Sequence, residues 1–174
     1  QILTVKGGTD KIVEYFGPGT RSISCTGKGT ITNMGAELGA TTSVFPFDER
    51  VDAFLRLTGN RMLVGDLALK NREYLCADPE VEKDPKRFYD EVIEIDLSSL
   101  EPHVTGPHTP DLARPVSQFA KEVREKGYPA DLRAALIGSC TNSSYEDIGR
   151  AAHVAAQAAQ AGMKSKVYFL ITPG

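Results

Sequence analysis

The chain has 174 residues, 41% of them hydrophobic and 25% charged, with a formal net charge of −3. That is enough for one or two packed domains and excludes a disordered polyelectrolyte. No strongly basic stretch points to nucleic acid, and no apolar run reaches the roughly 18 residues a membrane-spanning helix needs, so neither partner is expected.

In chain order, residues 1–102 read as one unit. Leu3–Val5 suggests a short strand. Asp10–Phe16 reads as a short helix, started near Asp10 and stopped by Gly17-Pro18-Gly19. Arg21–Cys25 alternates like a strand. Thr30–Ala40 reads as a helix whose Gly35, Ala36, Gly39 and Ala40 permit close backbone approach at a cost in helix propensity. Thr42–Phe47 is a strand candidate broken at Pro46. Asp48–Leu57 carries Val51, Phe54, Leu55 and Leu57 at roughly helical spacing and is closed by Gly59. Residues 71–91 are rich in Glu, Asp, Lys and Pro and read as an exposed, charged connection. Glu91–Leu97 has the composition of a strand.

Residues 103–115 read as a Pro-rich linker, since prolines at 102, 107 and 110 argue against a helix there. Residues 116–174 form the next unit. Val116–Lys126 is a helix with Val116, Phe119, Ala120 and Val123 on one face, ended by Gly127. Residues 132–173 form a βαβ unit. Leu132–Ile137 is apolar, as a buried parallel strand should be. The helix after it runs to about Ala161, with Ser143 and Glu146 as a capping box and Ile148, Ala151, Ala152, Ala155, Ala158 and Ala159 toward the sheet. Gly162 stops it, and Val167–Ile171 returns as a strand. The class is α/β: a mixed α/β domain, then the first βαβ unit of a parallel-sheet domain.

Cys25, Cys76 and Cys140 are an odd, widely spaced set. They suit a reducing compartment rather than a disulfide framework, and they lack the paired spacing of structural zinc. The first residues do not resemble a signal peptide. The last ones read as a strand and a turn, so both ends are expected to be cuts through a longer protein.

Leu136-Ile137-Gly138-Ser139-Cys140-Thr141-Asn142-Ser143-Ser144-Tyr145-Glu146-Asp147 places Cys140 between a strand and a helix N-terminus. Ligands of open α/β sheets sit outside the strands' carboxyl ends, and helix N-termini favour anions. Cys140 is therefore a candidate metal or cluster ligand, or a nucleophile. The alternatives are a small buried hydrophobe, and a serine-type elbow that lacks its last glycine and an obvious histidine partner. His153 reads as an ordinary surface or core histidine. Asn33 and Glu37, at i,i+4, share one face of the expected helix. Together they can hold a water or hydroxyl, but by spacing alone an ordinary polar stripe is the favoured reading. Thr26-Gly27-Lys28-Gly29-Thr30 fails the Walker pattern and reads as a turn. Cys25 and Cys76 read as structural, and His103 and His108 receive no role.

Several of these segments together resemble mitochondrial-type members of the aconitase family. They include Leu3-Thr4-Val5-Lys6-Gly7-Gly8-Thr9, Ser22-Ile23-Ser24-Cys25-Thr26-Gly27, Asn33-Met34-Gly35-Ala36-Glu37, Gly39-Ala40-Thr41-Thr42-Ser43-Val44-Phe45-Pro46 and the Cys140 segment. The resemblance implies a 4Fe–4S hydro-lyase of the tricarboxylic acid cycle. It would interconvert citrate and isocitrate through cis-aconitate in the mitochondrial matrix, a location no targeting segment in the chain signals. In that family three cysteines hold the cluster, and its open iron serves as a Lewis acid. Cys140 matches the first cluster cysteine, Glu37 the glutamate near the reacting hydroxyl, and Asn33 an asparagine beside the cluster. The family's C-x-x-C pair, serine base, substrate-binding arginines and catalytic Asp/His pairs have no counterpart in this span.

The chain thus resembles an aconitase second domain plus the opening βαβ unit of the third, and its partners include the remaining aconitase domains. A single thiolate cannot hold a cubane cluster, so this stretch by itself is expected to bind none and to be inert. The alternatives are a sibling hydro-lyase acting on homoaconitate or isopropylmalate, or a non-catalytic binding or structural piece. An RNA-binding role like that of the iron-regulatory relatives is opposed by the lack of a basic stripe and by the Asn33–Glu37 segment.

Overall fold

Two β-branched residues, Ile12 and Val13, begin the first strand in the computed structural model, which describes residues 2–59 and 61–174. Strand β1 (Ile12–Glu14) pairs in parallel with β2 (Thr42–Val44), with Val13 opposite Ser43. A 3-10 turn, Pro18–Ser22, and helix α1 (Cys25–Asn33) make the crossover. Ser24 caps α1, its Oγ accepting from the Gly27 amide at 3.1 Å. Asp48 caps α2 (Glu49–Leu57), its Oδ1 accepting from the amides of Arg50 and Val51.

Helix α3 (Met62–Lys70) packs on α2. Gly65 permits the approach, since a Cβ there would lie 3.1 Å from Asp52 Oδ1. Arg56 ties the two helices by pairing with both Asp52 and Asp66. A short helix α4 (Pro79–Lys83) follows, flanked by 3-10 turns at Arg72–Leu75 and Pro85–Arg87.

Strands β3 (His103–Thr105) and β4 (Ala113–Pro115) pair antiparallel, with Val104 opposite Arg114. Helix α5 (Val116–Lys126) ends at Gly127, whose φ of 65° is the left-handed closure glycine supplies. Arg114, buried beneath the helix, pairs with Glu122 and lies 5.3 Å from the Phe119 ring centroid. Strand β5 (Ala134–Ile137), helix α6 (Tyr145–Gln160) and strand β6 (Tyr168–Ile171) form a parallel βαβ unit, with Leu136 opposite Leu170. The chain divides into two units: Gln1–Pro102 with Gly106–Leu112, and His103–Thr105 with Ala113–Gly174. Among the described residues, no helix is long and apolar enough to cross a membrane.

The mixed α/β class is as expected, but several elements differ from the sequence reading. Leu3–Val5 is a turn, closed by the Gly7 amide on Leu3 O at 2.8 Å. Asp10–Phe16 holds β1 instead of a helix, because pairing with β2 outweighs local helical spacing. Arg21–Cys25 is the end of a 3-10 turn and the start of α1, because Ser24 caps a helix there. The Thr26–Thr30 stretch read as a turn lies inside that helix. The helix expected over Thr30–Ala40 stops at Asn33, and residues 34–39 turn back toward β2. Gly39, at a φ of 78°, serves that turn.

Residues 91–96 pair with no strand among those described; Glu91 is held by its ion pair with Lys11, 2.6 Å long. The segment 103–115 carries β3 and β4 at its ends. The α6 cap is Ser144 with Asp147, one residue beyond the expected pair, and Ala152, Ala155 and Ala159 are exposed. The strand read as buried alternates between exposed and half-buried in β5, and β6 is exposed throughout. A two-stranded sheet carrying a single helix covers too little area to bury both faces.

The α6 capping box is reciprocal: Ser144 Oγ accepts from the Asp147 amide and Asp147 Oδ2 from the Ser144 amide. Ser144→Ala should lower stability by about 1 kcal/mol, read as a lower urea or thermal midpoint. An unchanged midpoint would show that the box adds nothing.

Candidate functional site

The loop between β5 and α6 is held from both ends, and Cys140 sits at its exposed crest. Ser139 Oγ accepts from the amides of Thr141 (3.1 Å) and Asn142 (2.9 Å), a serine turn that bends the chain just past the strand. Buried Ser143 donates through Oγ to Ser139 O at 2.6 Å. The end of β6 locks the same loop: the Thr172 amide donates to Ile137 O and the Gly174 amide to Ser143 O. Gly138 has a φ of 124°, and a Cβ on it would lie 2.3 Å from Thr172 O, so no other residue fits there.

Cys140 is a free, exposed thiol with Sγ 3.5 Å from Thr141 Oγ1. It stands beyond the carboxyl end of a parallel strand, where α/β folds place their ligands. A thiol so placed fits a single soft ligand of a metal or iron–sulfur cluster. Among the described residues, no group of three or more His, Cys, Asp and Glu side chains is placed to hold a metal ion.

Asn33 and Glu37 belong to the other unit. Asn33 ends α1, while Glu37 lies in the following turn, so the two do not share a helix face as their spacing suggested. Both are exposed. Asn33 lines an open depression of about 410 Å³ with Gly29, Thr32, Gly35, Ala36 and Ser43, and Glu37 is outside that lining. Gly35 explains the close fit beneath: a Cβ there would be 2.6 Å from Ser43 Oγ. The Ser43 hydroxyl is buried and has no hydrogen-bond partner within the described structure.

The sequence reading missed a buried ion pair on the same helix. Lys28 on α1 and Asp48 at the start of α2 are 4% and 6% exposed and pair through Nζ and Oδ2. The nearby Cys25 thiol is pushed up by burial, with Lys28 opposing and Asp48 adding to the rise. Burial also raises the Tyr15 phenol, whose ring stacks on Phe45 at 4.4 Å. Nothing local signals this pair, because the lysine and the aspartate lie 20 residues apart.

A family model described as "Aconitase family (aconitate hydratase)" matches residues 1–174. The chain is 56% identical over 173 residues to the "Aconitate hydratase, mitochondrial" of Schizosaccharomyces pombe, covering 99% of this chain and 21% of that protein. It is 57% identical to the protein of the same name from Gracilaria gracilis and 53% identical to that of Saccharomyces cerevisiae, covering 99% of this chain and 21% and 22% of those proteins. The chain thus spans about a fifth of the length of the curated relatives it matches.

Gly138→Ala should force the loop off Thr172 and lower stability by about 1–3 kcal/mol, with faster hydrogen exchange at the Thr172 amide. A variant that melts with the parent and keeps that amide protected would show that the loop has room to spare.

Proposed function

The chain belongs to the aconitase family, and from that premise we propose that the whole protein is a hydro-lyase interconverting citrate and isocitrate through cis-aconitate. The observation that carries this reading is Cys140, an exposed thiol on a loop whose backbone is held by Ser139, Gly138 and the end of β6. In this reading Cys140 supplies one thiolate to a 4Fe–4S cluster, and other parts of the protein supply the rest. When bound, the cluster provides a Lewis-acid iron that polarises substrate oxygens. The relatives' printed names say mitochondrial, and in this reading the whole protein works in the mitochondrion.

The chain's own residues have separate tasks. Ser139 fixes the backbone around Cys140 by taking the two amides beyond it. A preset ligand loses little conformational freedom on binding. Asn33 offers an amide that can donate to a carboxylate and accept from a hydroxyl. Glu37 offers an exposed carboxylate able to take or return a proton at the substrate hydroxyl. The net charge of −3 and the absence of a basic stretch disfavour an RNA-binding role.

Cys140→Ser in the full-length protein should remove both the cluster absorbance and the turnover of cis-aconitate. Persistence of both would overturn the ligand role. Glu37→Gln should keep the absorbance and lower kcat by about 10²–10⁴-fold, the usual worth of a positioned acid or base. Full activity in that variant would remove Glu37 from the chemistry.

A further inference from the structure

We propose that Lys28 and Asp48 form a positioning pair that holds the last turn of α1, and with it the Asn33 amide, in place. The inference rests on the site role given to Asn33 above. Helix α1 is a weak helix in isolation. Its sequence, Cys-Thr-Gly-Lys-Gly-Thr-Ile-Thr-Asn, contains two glycines and four β-branched residues. It has no acidic residue in its first turn and no basic residue in its last, so its dipole is uncompensated. Its one buried residue is Lys28, a charged one. Tertiary contact at Lys28 therefore decides where α1 lies.

The partner of Lys28 is itself held by backbone amides. Asp48 Oδ1 accepts from the Arg50 and Val51 amides at 3.2 and 3.1 Å, which leaves Oδ2 for the ammonium. The Phe45 ring, stacked on Tyr15, faces the same ammonium at 5.9 Å. From Lys28 the constraint runs up the helix. Thr32 Oγ1 donates to Lys28 O (3.1 Å) and Gly29 O (3.0 Å), and Asn33 is the next residue. Beyond it, Gly35 rests on Ser43 of β2. The pair anchors one side of the Asn33 turn and the Gly35 contact anchors the other.

The test uses the full-length enzyme. K28M/D48N removes both charges, so no unpaired charge stays buried and the fold should survive. Together with N33A and the triple variant it forms a mutant cycle. K28M/D48N should keep its melting temperature, cluster absorbance and KM, while kcat falls about 10- to 100-fold, the loss a small misplacement produces. The α1 amides should exchange faster. N33A should lose a similar factor, and the triple variant should be no worse than N33A. Unchanged kcat and exchange in K28M/D48N, or losses that multiply in the triple, overturn the proposal. If N33A is fully active, the role given to Asn33 fails, and the exchange rates alone decide whether the pair holds α1: faster exchange supports the hold, and unchanged exchange removes it. Should K28M/D48N not fold, Lys28→Arg, which keeps the charge but alters its reach and geometry, carries the same cycle.

Discussion

A lysine ammonium sealed against an aspartate carboxylate organises the N-terminal unit. Each ion gives up hydration worth several kcal/mol, a loss offset only by close pairing and further polar contacts. Asp48 meets both conditions, with one oxygen on Lys28 and the other on the first amides of α2. Phe47 is the one buried hydrophobic residue among those described, and at 8% exposure even it is not fully sealed, so apolar packing alone does little to set the relation of α1 to α2. A buried ion pair adds little net stability, but it tolerates few alternative arrangements. Where the apolar core is small, that intolerance selects one register.

The second unit is held differently. Its loop geometry follows from backbone crowding at Gly138 and Thr172, where even a methyl group has no room, and from serine side chains that replace absent backbone partners. Ser139 satisfies the amides after the strand, and Ser144 and Asp147 satisfy those at the start of α6. Small polar residues do this because their short side chains reach their own backbone. A thiol presented in this way is suited to ligation, and its exposure follows from the loop that carries it.

Family membership and local geometry support the functional reading from different sides. The family match covers the whole chain, yet the chain spans about a fifth of its relatives' length. Among the described residues no group of three or more His, Cys, Asp and Glu side chains is placed to hold a metal, and Cys140 is an exposed thiol on a loop. In the proposed reading, this chain would contribute Cys140, Asn33 and Glu37 to a site completed by other parts of the protein.

Sequence alone determined the elements whose signals are local. The helix over Val116–Lys126 with its Gly127 stop, the helix within Asp48–Leu57, and the strand, loop and helix around Cys140 are all set by residues within a turn or two of one another. The capping box was legible to within one residue, since adjacent serines at 143 and 144 offer the same chemistry and only burial of the first decides between them. Tertiary structure decided the rest. Ile12–Glu14 became a strand because Thr42–Val44 was there to pair with it. Asn33 and Glu37 parted because the chain had to turn at Gly35 to reach β2, a demand that i,i+4 spacing does not carry. Lys28 could be buried because a carboxylate 20 residues away, at Asp48, pairs with its ammonium. Local propensities are differences of a fraction of a kcal/mol per residue. Long-range pairing of strands and charges is worth more, and its partners are known only once the chain has folded.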